Sequence, residues 1–265
     1  MSDQTNLPAI SRQVTELVLS GSTNKAEAAF NETAEKFGDL AVVEILDALE
    51  PHVASLHMSA FDGGKMSLAT LLIPPKAWAG SLAFFAATWG EDMIADKPEI
   101  LAESLFTYIH GVIFSSDDPE RRAELIHEAL ATDWGTTAFA VLFSTAISEI
   151  VEIANSIHSR GAASSGQTSS DHDVIPLALE IARTDSDAWE RVLFEIFPEW
   201  QPDSNQLLVE SDNDSEDDGE YAEEATTSRS TRELLLRLRK QVPSKSSSTP
   251  PKKGRRPSLG ENIFV

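Results

Sequence analysis

The sequence predicts an all-α protein, either a multi-helix bundle or a short α-solenoid-like array of helical hairpins. Across residues 6–200, apolar residues recur every three to four positions, which is the period of a helix with one buried face. Helices are expected to begin at Pro51, Pro75, Pro98 and Pro119, because proline lacks the N–H that would be unpaired at a first helical position. No segment alternates polar and apolar residues as a half-buried strand would.

The first three helices follow from glycine stops and an acidic start. The first two are expected to end at Gly21 and Gly38, because glycine commonly follows the last helical residue. The third, "DLAVVEILDALE", is expected to use Asp39 as its N-cap and to run to Glu50. The inward-facing residues of the first two helices are then Ile10, Val14, Leu17, Val18, Ala26, Phe30, Ala34 and Phe37.

The longest apolar stripe predicts a single central core helix in "TTAFAVLFSTAISEIVEIANSIHSRG". Before it, "SSDDPERRAELIHEALATDWG" is expected to form a helix capped by Asp118. After it, "SRGAASSGQTSSDHD" is typical of a loop, and a last helical pair extends to Pro198. The stripe of the long helix comprises Phe139, Leu142, Phe143, Ala146, Ile147, Ile150, Val151, Ala154 and Ile157.

The spacing of the four prolines also suggests a helical repeat. They lie 24, 23 and 21 residues apart, and "PKAWAGSL" and "PEILAESL" share alanine, serine and leucine at matching offsets. A repeat array would produce this pattern, but so would short antiparallel helices in any all-α domain. Both interpretations stay open, and the groove between these helices is the expected docking surface.

Charge is divided unevenly along the chain. Residues 1–228 hold 11 basic and 41 acidic residues, a net charge of −30, whereas residues 229–265 hold 10 basic and 2 acidic residues, a net charge of +8. The acidic body is expected to repel nucleic acid and anionic membranes. Any contact with nucleic acid is therefore expected to go through the basic tail.

Composition predicts four segments. Residues 6–200 form the globular all-α interaction domain, and 201–228 form a disordered acidic linker, since nine acidic residues and no basic one lie between Glu210 and Glu224. Residues 229–242 form a conditional amphipathic helix that folds on a partner or back onto the body. Residues 243–265 form a disordered basic tail.

Several classes of protein lack their usual signals. The chain has no cysteine, no apolar run near the roughly 20 residues that span a bilayer, and no N-terminal secretion signal, so an intracellular and soluble protein without a membrane partner is expected. No phosphate-binding glycine motif is present, and "DGGK" at 62–65 is expected to be a turn. His52 with His57, and Asp171–His172–Asp173, do not have metal-ligand spacing. We therefore expect no cofactor, no metal site and no catalytic residue.

One short motif resembles an enzyme family. In "RRAELIH", Arg122 and His127 have the R-x4-H spacing of HEPN-type ribonucleases, although Ala123 stands where that family usually has a polar residue. The resemblance implies a dimeric helical bundle in which these two residues act on a phosphodiester. The acidic body opposes RNA binding, so an enzyme is not the expected function.

The basic tail carries the targeting motifs. Arg239 and Lys240, eleven residues, and then Lys252, Lys253, Arg255 and Arg256 have the form of a bipartite nuclear-import signal, and "KKGR" alone fits the one-part form. Kinase-type contexts surround Ser211, Ser215 and Ser258, where a phosphate would add negative charge. Ile263 and Val265 resemble a C-terminal ligand of a PDZ domain.

Together these features predict a non-enzymatic protein–protein interaction module, or adaptor, with a regulated basic tail. Its expected partners are other proteins, including an import receptor, and self-association stays open. Its expected location is nuclear in a eukaryotic or eukaryote-infecting source and cytoplasmic otherwise. A viral or phage replication or assembly cofactor, of the phosphoprotein or scaffold type, is the alternative, and an HEPN-like ribonuclease is the third.

Overall fold

The computed structural model describes residues 7–60, 67–160, 174–200 and 227–242. Within these ranges the chain forms fourteen α-helices, one 3₁₀-helix at Ala86–Thr88 and no strand, which confirms the predicted all-α class. The helices are α1 (Leu7–Leu19), α2 (Thr23–Phe37), α3 (Asp39–Ala48), α4 (Pro51–Ser59), α5 (Leu68–Leu72), α6 (Pro75–Phe85), α7 (Glu91–Asp96), α8 (Pro98–Ile113), α9 (Pro119–Leu130), α10 (Asp133–Phe143), α11 (Ile147–Arg160), α12 (Ile175–Thr184), α13 (Ser186–Ile196) and α14 (Thr231–Lys240).

The helix starts follow the local sequence closely. Pro51, Pro75, Pro98 and Pro119 each open a helix, as predicted. Asp118 caps α9, since its carboxylate accepts a hydrogen bond from the backbone N–H two residues later.

Two boundary predictions for the early helices were wrong. Asp39 is the first residue of α3, and the N-cap is Gly38, whose φ of +84° favours glycine. The helix ends at Ala48 instead of Glu50, because Glu50 precedes Pro51 and takes an extended conformation. Phe37 was expected to face inward but is 43% exposed, because it is the last residue of α2.

The predicted single central helix is two helices. Between α10 and α11 the chain bends by 111°. The hydroxyl of Ser144 donates to the carbonyl of Val141, and the hydroxyl of Thr145 donates to that of Leu142. Such side-chain bonds compete with the helical backbone ladder and favour a break, and a hydrophobic stripe alone does not report them.

Helix α10 forms the centre of the core. Every residue of Ala138–Phe143 is at most 1% exposed, and α10 packs against α6, α8, α9, α13 and α14. Gly135 permits the close approach to α9, because a Cβ there would lie 1.9 Å from the carbonyl oxygen of Ala129. This buried helix therefore contacts both α13 and α14, the last two helices of the described chain.

The two segments with similar sequences occupy different environments. Ser81 in α6 is fully buried, and its hydroxyl lies 2.7 Å from the Tyr108 hydroxyl, whereas Ser104 in α8 is exposed and bonds only within its own helix. Burial raises the pKa of Tyr108, and its hydrogen bonds with Ser81 and Ser55 only partly oppose this. The matching serines are therefore not structurally equivalent.

In the described part of the chain, no single helix is both long and apolar enough to cross a membrane. Helix α10 and residues 147–157 of α11 are long and apolar enough only when they are taken together, and a sharp bend separates them. Most of α10 is buried inside the protein, as expected of a core helix.

Candidate interaction groove

Helix α14 fills a groove on the surface of the other helices. Its Leu234, Leu235 and Leu238 are completely buried. The groove walls come mainly from α10, with further contacts from α6, α7, α8 and the 3₁₀-helix. The sequence left open whether this segment folds on a partner or back onto the body, and in the structure it lies on the body.

The first turn of α14 is fixed by its own residues. Ser230 accepts a hydrogen bond from the backbone N–H of Glu233, and the Glu233 carboxylate accepts one from the backbone N–H of Ser230. This capping box pairs two N–H groups that would otherwise lack partners. The capping residues belong to the segment itself, so this cap requires no side chain from the body.

Polar contacts at both ends set the register of α14 in the groove. Near its start, the Thr231 hydroxyl lies 2.9 Å from the Ser144 hydroxyl at the end of α10. After its end, the Gln241 amide donates to the Thr137 hydroxyl over 3.0 Å. Ser144 is the C-cap of α10 and Thr137 lies within α10, so both ends of the α14 segment contact that one helix.

Glu195 of α13 lies at the edge of the groove and gathers several of its polar contacts. Its carboxylate forms ion pairs with Arg229, at 3.4 Å, and with Arg237. It also accepts a hydrogen bond from the hydroxyl of Thr137 over 3.1 Å. With 13% of its side chain exposed, Glu195 joins α10, α13 and α14 at one point.

A second ion pair lies farther along the helix. Arg239 donates to the Glu91 carboxylate of α7 over 2.7 Å, but the Glu91 side chain is 72% exposed. Water and salt weaken such exposed pairs to about 0–1 kcal/mol. The buried leucines and Glu195 therefore contribute more to docking than Glu91 does.

The residue two positions before α14 is bonded to the end of α13. The backbone N–H of Arg229 donates to the carbonyl of Ile196 over 2.8 Å. Residues 227–242 carry five basic residues and one acidic residue, so a basic amphipathic helix lies on an acidic body. Charge and apolar burial both favour this arrangement.

A separate buried polar cluster lies around Glu27 of α2. Its carboxylate lies 3.0 Å from His57 Nε2, and it accepts hydrogen bonds from the Ser67 hydroxyl and from the backbone N–H of Leu68. Burial alone would raise the pKa of Glu27, but these hydrogen bonds and the charge of His57 lower it. Ser67 and His57 both contact the acid, an arrangement different from that of a nucleophilic triad, in which the serine bonds to the histidine.

Arg122 and His127 are held by different acidic residues. The Arg122 guanidinium lies over the Phe114 ring, 5.8 Å from its centroid, and its Nε lies 3.9 Å from the Glu180 carboxylate. His127 Nδ1 lies 3.4 Å from the Asp185 carboxylate. The two ion pairs tie α9 to α12 or its end, and the Phe114 contact ties α9 to the end of α8. These contacts are an adequate structural role for both residues.

The other residues considered in the sequence lie partly inside and partly outside the ranges that the structure describes. His52 lies 3.3 Å from Glu50, and among the residues that the structure describes no three histidine or carboxylate side chains cluster as metal ligands. Arg239 and Lys240 lie at the end of α14. The other predicted sites fall outside the described ranges, namely 62–65, 171–173, Ser211, Ser215, Lys252, Lys253, Arg255, Arg256, Ser258, Ile263 and Val265.

The sequence interpretation identified the leucine cluster of α14 but missed its acidic partners. Glu195 and Glu91 are two of 43 acidic residues, and Glu91 pairs with a residue 148 positions away. Glu195 lies at an otherwise apolar end of α13, before Ile196 and Phe197. A carboxylate in that position is the one local signal that could have singled it out.

The chain matches no protein-family model, no curated protein and no solved structure.

Proposed function

We propose that this protein is a non-enzymatic interaction module whose groove binds an amphipathic, leucine-rich, basic helix. α14 is the occupant supplied by the chain itself, and a partner helix with the same pattern of leucines and arginines competes for the same place. The observation that carries the proposal is the complete burial of Leu234, Leu235 and Leu238 of a helix that is separated in sequence from the preceding helices.

The chemistry of the groove defines the partner. Each fully buried leucine contributes about 1.5–3 kcal/mol relative to an exposed one, so three leucines supply most of the binding free energy. Glu195, at the groove edge, requires a basic residue three positions after the first leucine, where Arg237 stands. Helix-in-groove recognition commonly uses such spaced apolar anchors with flanking charges.

Competition within the chain regulates access to the groove. A tethered α14 acts at a high effective concentration, so a free partner must bind more tightly or arrive when α14 is weakened. The acidic body and basic helix also predict faster association at low salt.

The experiment is a binding titration with a labelled peptide of residues 227–242. The full-length chain carrying Leu235→Ala and Leu238→Ala, whose own α14 is weakened, is expected to bind this peptide at least tenfold more tightly than the wild-type chain does. The control peptide carries alanine at Leu234, Leu235 and Leu238 and keeps every charge. Equal binding of the two peptides would refute a leucine-reading groove, and circular dichroism checks that the variant chain remains helical.

The basic tail completes the proposal as a targeting element. Arg239 is engaged by Glu91 in the docked helix, so an import receptor that reads both halves of a bipartite signal must compete with the body. A one-part signal in 252–256 avoids that competition. Changing Lys252, Lys253, Arg255 and Arg256 to alanine is expected to abolish nuclear accumulation of the tagged chain. Unchanged localisation would refute the proposed targeting role of the tail.

A further inference from the structure

A cleft of about 710 Å³ lies where α10, α13 and α14 meet. Its walls bring together Arg191 of α13, Arg229 just before α14, and Arg237 of α14. The chain as a whole carries 21 basic residues against 43 acidic ones. Three arginines around one cleft are therefore a local departure from the charge of the protein.

The arginines keep donors for a further acceptor. In the described structure, Arg191 donates through Nη2 to the carbonyl of Leu130, and Arg237 is paired with Glu195 through Nε. Arg229 uses Nη1 for the Glu195 backbone carbonyl and its carboxylate. A guanidinium has five N–H donors in a planar fork, so each of the three retains donors beyond these contacts.

The acidic residues of the cleft do not cancel this charge. Glu195 and Asp133 also line it, which leaves three positive charges against two negative ones. Glu195 is engaged by Arg229 and Arg237, and Arg191 has no carboxylate partner among the described residues. The cleft therefore has a net positive charge, with Arg191 as its least neutralised cation.

The remaining lining adds hydroxyls and an apolar wall. Thr132 and Thr136 contribute hydroxyl groups, and Phe194, which is 38% exposed, and Pro198 form an apolar side. Arginine forks match the oxygens of a phosphoryl group, which accepts several charge-assisted hydrogen bonds. An apolar wall beside them suits the group to which a phosphoryl is attached.

We propose that this cleft binds the phosphoryl group of a phosphate monoester. Arg191 provides the contact from the body, and Arg229 and Arg237 provide the contacts from the α14 segment. The site stands on the composition of the cleft and does not depend on the proposed binding of partner helices.

The division of the site between body and helix has a consequence for α14. When α14 leaves the groove, Arg237 leaves the cleft with it, so the anion binds the docked state more tightly than the open one. A ligand at ten times its dissociation constant then lowers the opening equilibrium about tenfold. The bound phosphoryl group thus holds the groove closed to partner helices.

The test measures hydrogen exchange of the α14 amides in the full-length chain. The probes are inorganic phosphate and a short peptide whose only charged side chain is one phosphoserine. Sodium chloride is added so that the ionic strength is the same in every sample. The unphosphorylated peptide is the reference. The variants are Arg191→Gln and, as a matched control, Arg232→Gln, since Arg232 is exposed on α14 and does not line the cleft.

We expect at least one probe, at ten times its dissociation constant, to slow exchange of the α14 amides about tenfold in the wild type and in Arg232→Gln, and to have no such effect in Arg191→Gln. Protection by both probes, or by phosphate alone, identifies a site open to small phosphates, and protection by the peptide alone identifies a phosphorylated side chain as the source. The absence of protection by either probe in the wild type, or equal protection in Arg191→Gln, would overturn the proposal. Failure here leaves the leucine-peptide titration unaffected, so the two proposals fail separately.

Discussion

Replacing Leu235 by alanine is expected to release α14 while leaving the rest of the fold intact. Leu235 is completely buried in the groove, and removing a buried leucine side chain costs about 2–5 kcal/mol. Because about 1.4 kcal/mol corresponds to a factor of ten in an equilibrium constant, the lower end of that range opens α14 about 30-fold more often. The body loses only the contacts that it makes with this one helix.

The assay is amide hydrogen exchange of the full-length chain, followed in peptides that cover 231–240 and, as an internal reference, 75–85. Exchange in the first segment is expected to accelerate at least 30-fold, and exchange in the second is expected to change little. Leu236→Ala is the matched control, because Leu236 is only partly buried. If Leu235→Ala accelerates α14 exchange no more than Leu236→Ala does, then the leucines do not hold the helix and the reasoning is refuted.

Three further predictions address the ion pairs, the acid sensitivity and the core. Glu195→Gln is expected to weaken docking of α14 by about 1–3 kcal/mol, which is measured as faster amide exchange of that helix. The control Glu190→Gln, on the exposed face of α13, is expected to change exchange of α14 little. Equal effects of the two variants would contradict a special role for Glu195. The pKa of Glu27 is lowered in the fold, so the stability that its carboxylate contributes is complete above its ordinary pKa of about 4.5 and is lost as pH falls through the lower folded pKa. In urea unfolding, the free-energy advantage of the wild type over Glu27→Gln is therefore expected to shrink as pH falls. A difference that stays constant with pH would contradict this. Gly135→Ala is expected to cost about 3 kcal/mol or more in thermal unfolding because of its clash with α9, while Gly111→Ala, with open space around it, should gain about 0.5–1 kcal/mol; similar shifts for both would refute the close approach.

Local chemistry predicted the parts of the fold that depend on adjacent residues. The helix starts at Pro51, Pro75, Pro98 and Pro119 follow from one residue each, because proline restricts its own backbone and lacks a donor. The leucine face of α14 was also visible, since its period is internal to the helix. These features require no knowledge of distant contacts.

The failures have a different physical origin. The break between α10 and α11 depends on whether Ser144 and Thr145 direct their hydroxyls to backbone carbonyls, a choice that a serine or threonine in a sequence does not reveal. The exposure of Phe37 depends on where α2 ends, and helix ends are less certain than helix interiors.

The groove could be predicted only in part. The sequence indicated an amphipathic helix in 229–242, but the surface that it occupies is assembled from helices far apart in the chain. Glu195 acquires its role because folding brings Arg229, Arg237 and Thr137 to it. A carboxylate in an acidic chain carries no local sign of such partners.

Whether the groove holds only one helix at a time can be measured by competition between α14 and a peptide of the same sequence. A heavy-isotope-labelled peptide of residues 227–242 is added in excess to the wild-type chain, and exchange of the chain's own α14 amides is followed by mass spectrometry, in which the label separates the two copies. If the two helices share one groove, the chain's α14 is expected to exchange faster as peptide occupancy rises, while the peptide carrying alanine in place of its three buried leucines is expected to have no effect. Peptide binding that leaves exchange of α14 unchanged would contradict a shared groove.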